Sequence, residues 1–172
     1  MENEIRIEIP DTHLFLDIDG VLATNKQFIS NRKNWHPEYN SYKFDENCVK
    51  ILNEILATHP MIIILSSDWR LKYKLDMLNR IFEINNVNTK VFDITPNLWG
   101  IKYFNAKYLE DCRAEEILKY VEDNQIKNYL AIDDLNLSKW LLPNNFIYTP
   151  NSNEGIKQCG IKDKILKLIN QI

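Results

Sequence analysis

Cysteine is nearly absent from this 172-residue chain, and Cys48, Cys112 and Cys159 are too scattered to staple a fold. They are odd in number and form no Cys-x-x-Cys pair, so zinc is not expected and reduced thiols in a cytoplasmic setting are. Long apolar runs are missing too, and the opening Met1-Glu2-Asn3-Glu4 is acidic, so neither a membrane span nor a secretory leader is expected. There is no basic excess. Lys and Arg number 21 against 24 Asp and Glu, and the net charge of −3 argues against a protein that coats nucleic acid, though not against a local basic patch. Glycine is scarce while Asn, Ile and Lys abound, a compositional bias without functional content. With no repeat, low-complexity tract or linker, residues 1–172 read as one domain able to bury its own core.

What is present alternates between two patterns. Ile5 to Ile9 fits a short edge strand or lead-in ending at Pro10. Apolar runs at Leu14–Ile18, Met61–Leu65, Val91–Ile94, Tyr129–Ile132 and Phe146–Tyr148 have the length of buried strands. Between them, Val49, Ile51, Leu52, Ile55 and Leu56 recur at helical spacing after an Asp45 N-cap and stop before Pro60. Further helices are marked by Leu75, Leu78, Ile81 and Phe82, by Arg113 to Glu122, and by Ile161 to Ile172. This order predicts an α/β, Rossmann-like three-layer sandwich around a mostly parallel sheet of about five strands.

Three of those strands end in polar residues suited to phosphate chemistry: Asp17/Asp19, Ser66/Ser67 and Asp133/Asp134. In an open parallel sheet, ligands bind beyond the carboxyl ends of the strands, so these groups are expected to share one edge. Along an extended chain Asp17 and Asp19 leave on the same side, where their repulsion calls for a divalent cation. Gly20 then lets the backbone turn.

Leu16-Asp17-Ile18-Asp19-Gly20-Val21-Leu22 resembles the first motif of the haloacid dehalogenase (HAD) superfamily. Met61 to Ser66 is similar to its second motif and Ala131-Ile132-Asp133-Asp134 to its fourth. The resemblance implies a phosphatase in which Asp17 is the nucleophile that becomes an aspartyl-phosphate and Asp19 the general acid and base. It implies Mg²⁺ held by Asp17, Asp19 (through its carbonyl), Asp133 and Asp134. Ser66 would donate to the phosphoryl group, with Ser67 a near-equal alternative. For the cation of the third motif Arg113 fits by position, an Arg where Lys is commoner, with Lys102 and Lys107 as rivals. Ser67, Arg70 and Gly20 are the expected substrate contacts, and Arg70 has a second option in pairing with a nearby acid.

No large cap domain is expected, only a flap over residues 24–44. Capless members of the superfamily tend to act on bulky phosphates, and Ser66-Ser67-Asp68-Trp69-Arg70 with Arg113-Ala114-Glu115-Glu116-Ile117 is most similar to a branch associated with RNA-repair proteins. Lys26, Arg32, Lys33 and Lys43, with Arg70, Lys72 and Lys74, make the expected mouth basic, and Trp35, Tyr39 and Tyr42 interleave with them as base-stacking platforms would. A solvated loop whose aromatics pack on the domain fits equally. The substrate is a nucleotide, a nucleic-acid end or a small phosphorylated metabolite, and oligomeric state stays open. A non-catalytic phosphate- or nucleic-acid-binding module and a metal-dependent nuclease are the rival classes.

Overall fold

A computed structural model describes residues 10–26, 35–100 and 108–172. In chain order the strands are β1 (Thr12–Leu16), β2 (Trp35–His36), β3 (Ser41–Tyr42), β4 (Ile62–Leu65), β5 (Val91–Ile94), β6 (Asn128–Asp133) and β7 (Phe146–Tyr148). The helices are α1 (Glu46–Thr58), α2 (Trp69–Lys72), α3 (Leu75–Ile84), α4 (Leu109–Asp123) and α5 (Ile161–Ile169).

The principal sheet has the order β5-β4-β1-β6-β7 with every pairing parallel, which makes the expected mostly parallel sheet wholly so. The chain winds outward from β1 through β4 to β5, then returns to lay β6 on the other side of β1. The winding therefore reverses between β1 and β6, and the crevice at their carboxyl ends is where such a sheet binds ligands.

Side-chain alternation divides the core. Leu14 and Leu16 face a cluster filled by α1, α3 and α5 through Leu52, Phe82 and Ile165, whereas Phe15 faces a second cluster built on Ala114 and Ile117 of α4. Burial on both faces explains why these strands read as unbroken apolar runs. Each fully buried Leu or Ile contributes roughly 1.5–3 kcal/mol.

Local signals account for most boundaries. Asp45 caps α1 by accepting from the Asn47 and Cys48 amides, and the helix ends at His59, before Pro60. α4 starts at Leu109, four residues before the expected Arg113, because Glu110 and Asp111 suit the positive end of the helix. β1 stops two residues early. The Asp17 amide still bonds the Ile132 carbonyl, but the chain then coils so that the Ile18 carbonyl accepts from the amides of Val21, Leu22 and Ala23.

A clasp supports that coil from behind. The Ile156 amide donates to the Val21 carbonyl at 3.0 Å, the Asn25 amide to Ser152 at 2.9 Å, and the Cys48 thiol to the Glu154 carbonyl at 3.3 Å. Lys157 pairs with the Asp45 cap, and a Cβ on Gly155 would lie 2.2 Å from the Val21 oxygen. The flap is partly structured: β2 and β3 pair antiparallel. The expected strand at residues 5–9 and the flap cations Arg32 and Lys33 lie outside the described residues.

Candidate active site

Three neighbouring strands deliver the site. The register aligns Leu16 with Leu65 on one side and Ile132 on the other, so Asp17, Ser66 and Asp133 emerge side by side. Asp17, Asp133 and Asp134 place carboxylate oxygens within 4.8 Å of one another. Arg113, one turn inside α4 and 3% exposed, reaches across the strand ends. Its Nη1 donates to Asp133 Oδ2 at 2.7 Å and lies 3.1 Å from Asp17 Oδ1, while Nη2 bonds Asp68 Oδ1 at 2.9 Å. Nη1 also bonds the Ser66 carbonyl. Of the three cations weighed for this place, Arg113 stands among the acids, and Lys102 and Lys107 lie outside the described residues.

Electrostatics follow from crowding. Burial, then the neighbouring Asp133, holds the Asp17 carboxyl well above the usual range despite Arg113. Asp133 is raised by burial, against the opposing pull of Arg113 and the Leu135 amide, which bonds its Oδ1 at 2.9 Å. Asp134 is pushed up to about 7 by burial and by Asp133 beside it. Acids that resist ionising together fit a hard divalent cation, which would relieve them all.

The backbone is shaped to the same end. Gly20 has φ +71°, and a Cβ there would lie 2.1 Å from Asp134 Oδ2. The missing side chain makes room for the third carboxylate.

Asp19 parts company with Asp17. The Asp19 carboxyl stands outside the three-acid cluster of Asp17, Asp133 and Asp134. Its Oδ1 accepts from the Tyr42 hydroxyl and its Oδ2 from Trp69 Nε1 at 3.0 Å. Burial raises its carboxyl, and the bonds from Tyr42 and Trp69 pull the other way. Neither partner was assigned to Asp19 from sequence, and no spacing signal marks them, since they lie 23 and 50 residues away.

The remaining site residues divide. Ser66 and Ser67 are buried, and neither hydroxyl has a hydrogen-bond partner among the described residues. Arg70, expected on substrate, takes its second option: its side chain is 1% exposed, pairs with buried Glu116, and donates to the carbonyls of Ser67 at 2.7 Å and Thr95 at 3.2 Å. It braces the Ser66–Ser67 turn from beneath. The stacking platforms are similarly reassigned. Tyr39 is 2% exposed and Tyr42 holds Asp19, which leaves Trp35, at 41%, on the surface. Lys26, Lys43, Lys72 and Lys74 are exposed.

A cleft of about 210 Å³ is lined by Asp19, Tyr42, Trp69, Asp68 and Lys72. Larger hollows of about 640 and 510 Å³ surround Asn86 and Asn88 in the α3–β5 connection and contain none of these acids. Among the described residues no helix is long and apolar enough to cross a membrane.

Compared with known proteins, the chain matches over residues 13–158 the family described as HAD domain in Swiss Army Knife RNA repair proteins. No curated protein and no solved structure matches it.

Proposed function

We propose that this chain, which belongs to the family of HAD domains in Swiss Army Knife RNA repair proteins, is a Mg²⁺-dependent phosphomonoesterase acting through Asp17. We read residues 1–172 as one such unit with 24–44 as its flap. The observation that carries the proposal is the meeting, at one sheet end, of three carboxylates, two of them bridged by buried Arg113, and two serine hydroxyls without hydrogen-bond partners among the described residues. A buried hydroxyl left unbonded costs about 1–3 kcal/mol, a cost that a phosphoryl oxygen in that place removes.

Asp17 attacks phosphorus as the bond from phosphorus to the leaving oxygen breaks, and Asp19 gives that oxygen its proton. Water then bonds to phosphorus as the bond to Asp17 breaks, and Asp19 takes the water proton, restoring both carboxyls. Arg113 fixes the nucleophile's orientation through Asp17 Oδ1 and ties it to Asp133. The serine hydroxyls bind phosphoryl oxygens. Asp17, Asp133 and Asp134, with the Asp19 carbonyl, would hold Mg²⁺, which when bound offsets the charge of phosphate approaching carboxylate.

The substrate is a phosphomonoester: a nucleotide, a nucleic-acid end or a small metabolite. The family's setting favours the nucleic-acid end. Phosphate release from nucleotides, sugar phosphates and end-phosphorylated oligonucleotides tests the reading. Mg²⁺-dependent release by the wild type and none by Asp17→Asn is expected. Equal release by the variant would overturn the covalent route, and strand scission without phosphate release would instead indicate a nuclease.

A further inference from the structure

We infer that Tyr42 is a positioning residue which, together with the Trp69 indole, aims the Asp19 carboxyl at the leaving group. The inference rests on the phosphatase reading above and concerns how Asp19 is held. A carboxylate offers about four lone-pair directions on two oxygens. Tyr42 takes one on Oδ1 and Trp69 one on Oδ2, so the plane of the group is fixed at both ends and each oxygen keeps a direction for the proton.

The clamp is itself anchored. The Trp69 ring centroid lies 5.7 Å from Phe44, 5.6 Å from Tyr73 and 6.0 Å from Tyr42, the last edge to face at 87°. Packing alone would be served as well by phenylalanine at position 42. The hydroxyl adds a bond to the one candidate acid that lies outside the metal cluster. Asp19, Tyr42 and Trp69 also line the 210 Å³ cleft, which gives a departing alcohol a place beside the proton donor. Through Tyr42 the β2–β3 pair thus takes part in the chemistry without touching phosphate.

The test compares wild type, Tyr42→Phe and Tyr39→Phe on two substrates, with kcat/KM as the readout. 4-Nitrophenyl phosphate releases a stable anion that needs little protonation, whereas an alkyl phosphate releases an alkoxide that must be protonated as it leaves. Because kcat/KM reports the first irreversible step, breakdown of the phosphoenzyme does not mask the difference. Tyr39→Phe controls for general loosening: its hydroxyl belongs to the same aromatic group but meets Asn85 at 3.2 Å rather than Asp19.

Tyr42→Phe should lose roughly 10- to 100-fold on the alkyl phosphate and stay within about threefold on the nitrophenyl ester. Trp69→Phe should show the same selectivity, and Tyr39→Phe none. A loss in Tyr42→Phe that is equal on both substrates, or no loss on either, would overturn the clamp while leaving the phosphatase reading intact. Failure of the wild type to release phosphate from any ester would overturn both.

Discussion

Substituting Gly20 by alanine tests the metal site without removing a charged group. The φ of +71° belongs to the left-handed region, where a side chain costs about 1–2 kcal/mol. The new Cβ would also lie 2.1 Å from Asp134 Oδ2, 2.4 Å from Cγ and 2.7 Å from Cβ. Since even the first side-chain carbon is too close, rotating the carboxylate cannot relieve the overlap and the Asp134 backbone must retreat. Overpacking of this kind costs about 1–3 kcal/mol. The two contributions together lower stability by about 2–5 kcal/mol, or roughly 5–15 °C in Tm for a chain of this size. Displacing one of the three carboxylate ligands should weaken Mg²⁺ roughly 10- to 100-fold. Thermal unfolding with and without Mg²⁺, and calorimetric titration, measure both effects. A double-mutant cycle identifies the obstacle: in an Asp134→Gly background the same alanine should cost only its backbone part, about 1–2 kcal/mol. An unchanged Tm and affinity in Gly20→Ala, or an undiminished cost in the double variant, would refute the reasoning.

Two further outcomes follow from the same cluster. Mg²⁺ must displace the proton from Asp134, whose carboxyl is pushed up to about 7, so titration should show affinity falling below that pH, roughly tenfold between about pH 8 and pH 6; equal affinity at both would contradict it. Without metal, the proton taken up by Asp134 stabilises the fold fully below the ordinary carboxyl value of 3.8, and that contribution is lost as pH rises through about 7. It amounts to at most about 4 kcal/mol, and to about half that once partial hydration of the group is counted, so Tm should fall across this window and recover with Mg²⁺. Arg113→Ala strips the buried Asp17 and Asp133 of their cation, for a cost of about 3–5 kcal/mol in denaturant unfolding. Arg113→Lys should recover only part, because one ammonium cannot span Asp133, Asp68 and the Ser66 carbonyl together; a loss under about 1 kcal/mol in the alanine variant would show the bridge to be idle.

Strand ends were the legible part of this molecule. Asp17, Ser66 and Asp133 each follow directly on a stretch of apolar strand residues, and the parallel register brings positions of that kind together whatever the loops do. The identity of Asp19's partners was not legible. Tyr42 reads in sequence as one more aromatic in a basic loop, and nothing local separates a ring that stacks on a base from one whose hydroxyl meets an acid. The same holds for Arg70, whose partner Glu116 lies 46 residues on in α4. The coil after Asp17 was not legible either, since it depends on three amides converging on the Ile18 carbonyl.

The clasp behind that coil has a consequence for biosynthesis. The amides and carbonyls that back the Asp17 loop belong to residues 151–157, more than a hundred positions further along the chain. Contacts separated by more than a hundred residues form late, after the loop between them has closed at its entropic cost. A nascent chain that already contains every acid of the site therefore still carries Asp17 on an unsupported turn. Loss of residues 151–157 would therefore undo the support of the loop without removing any acid of the site.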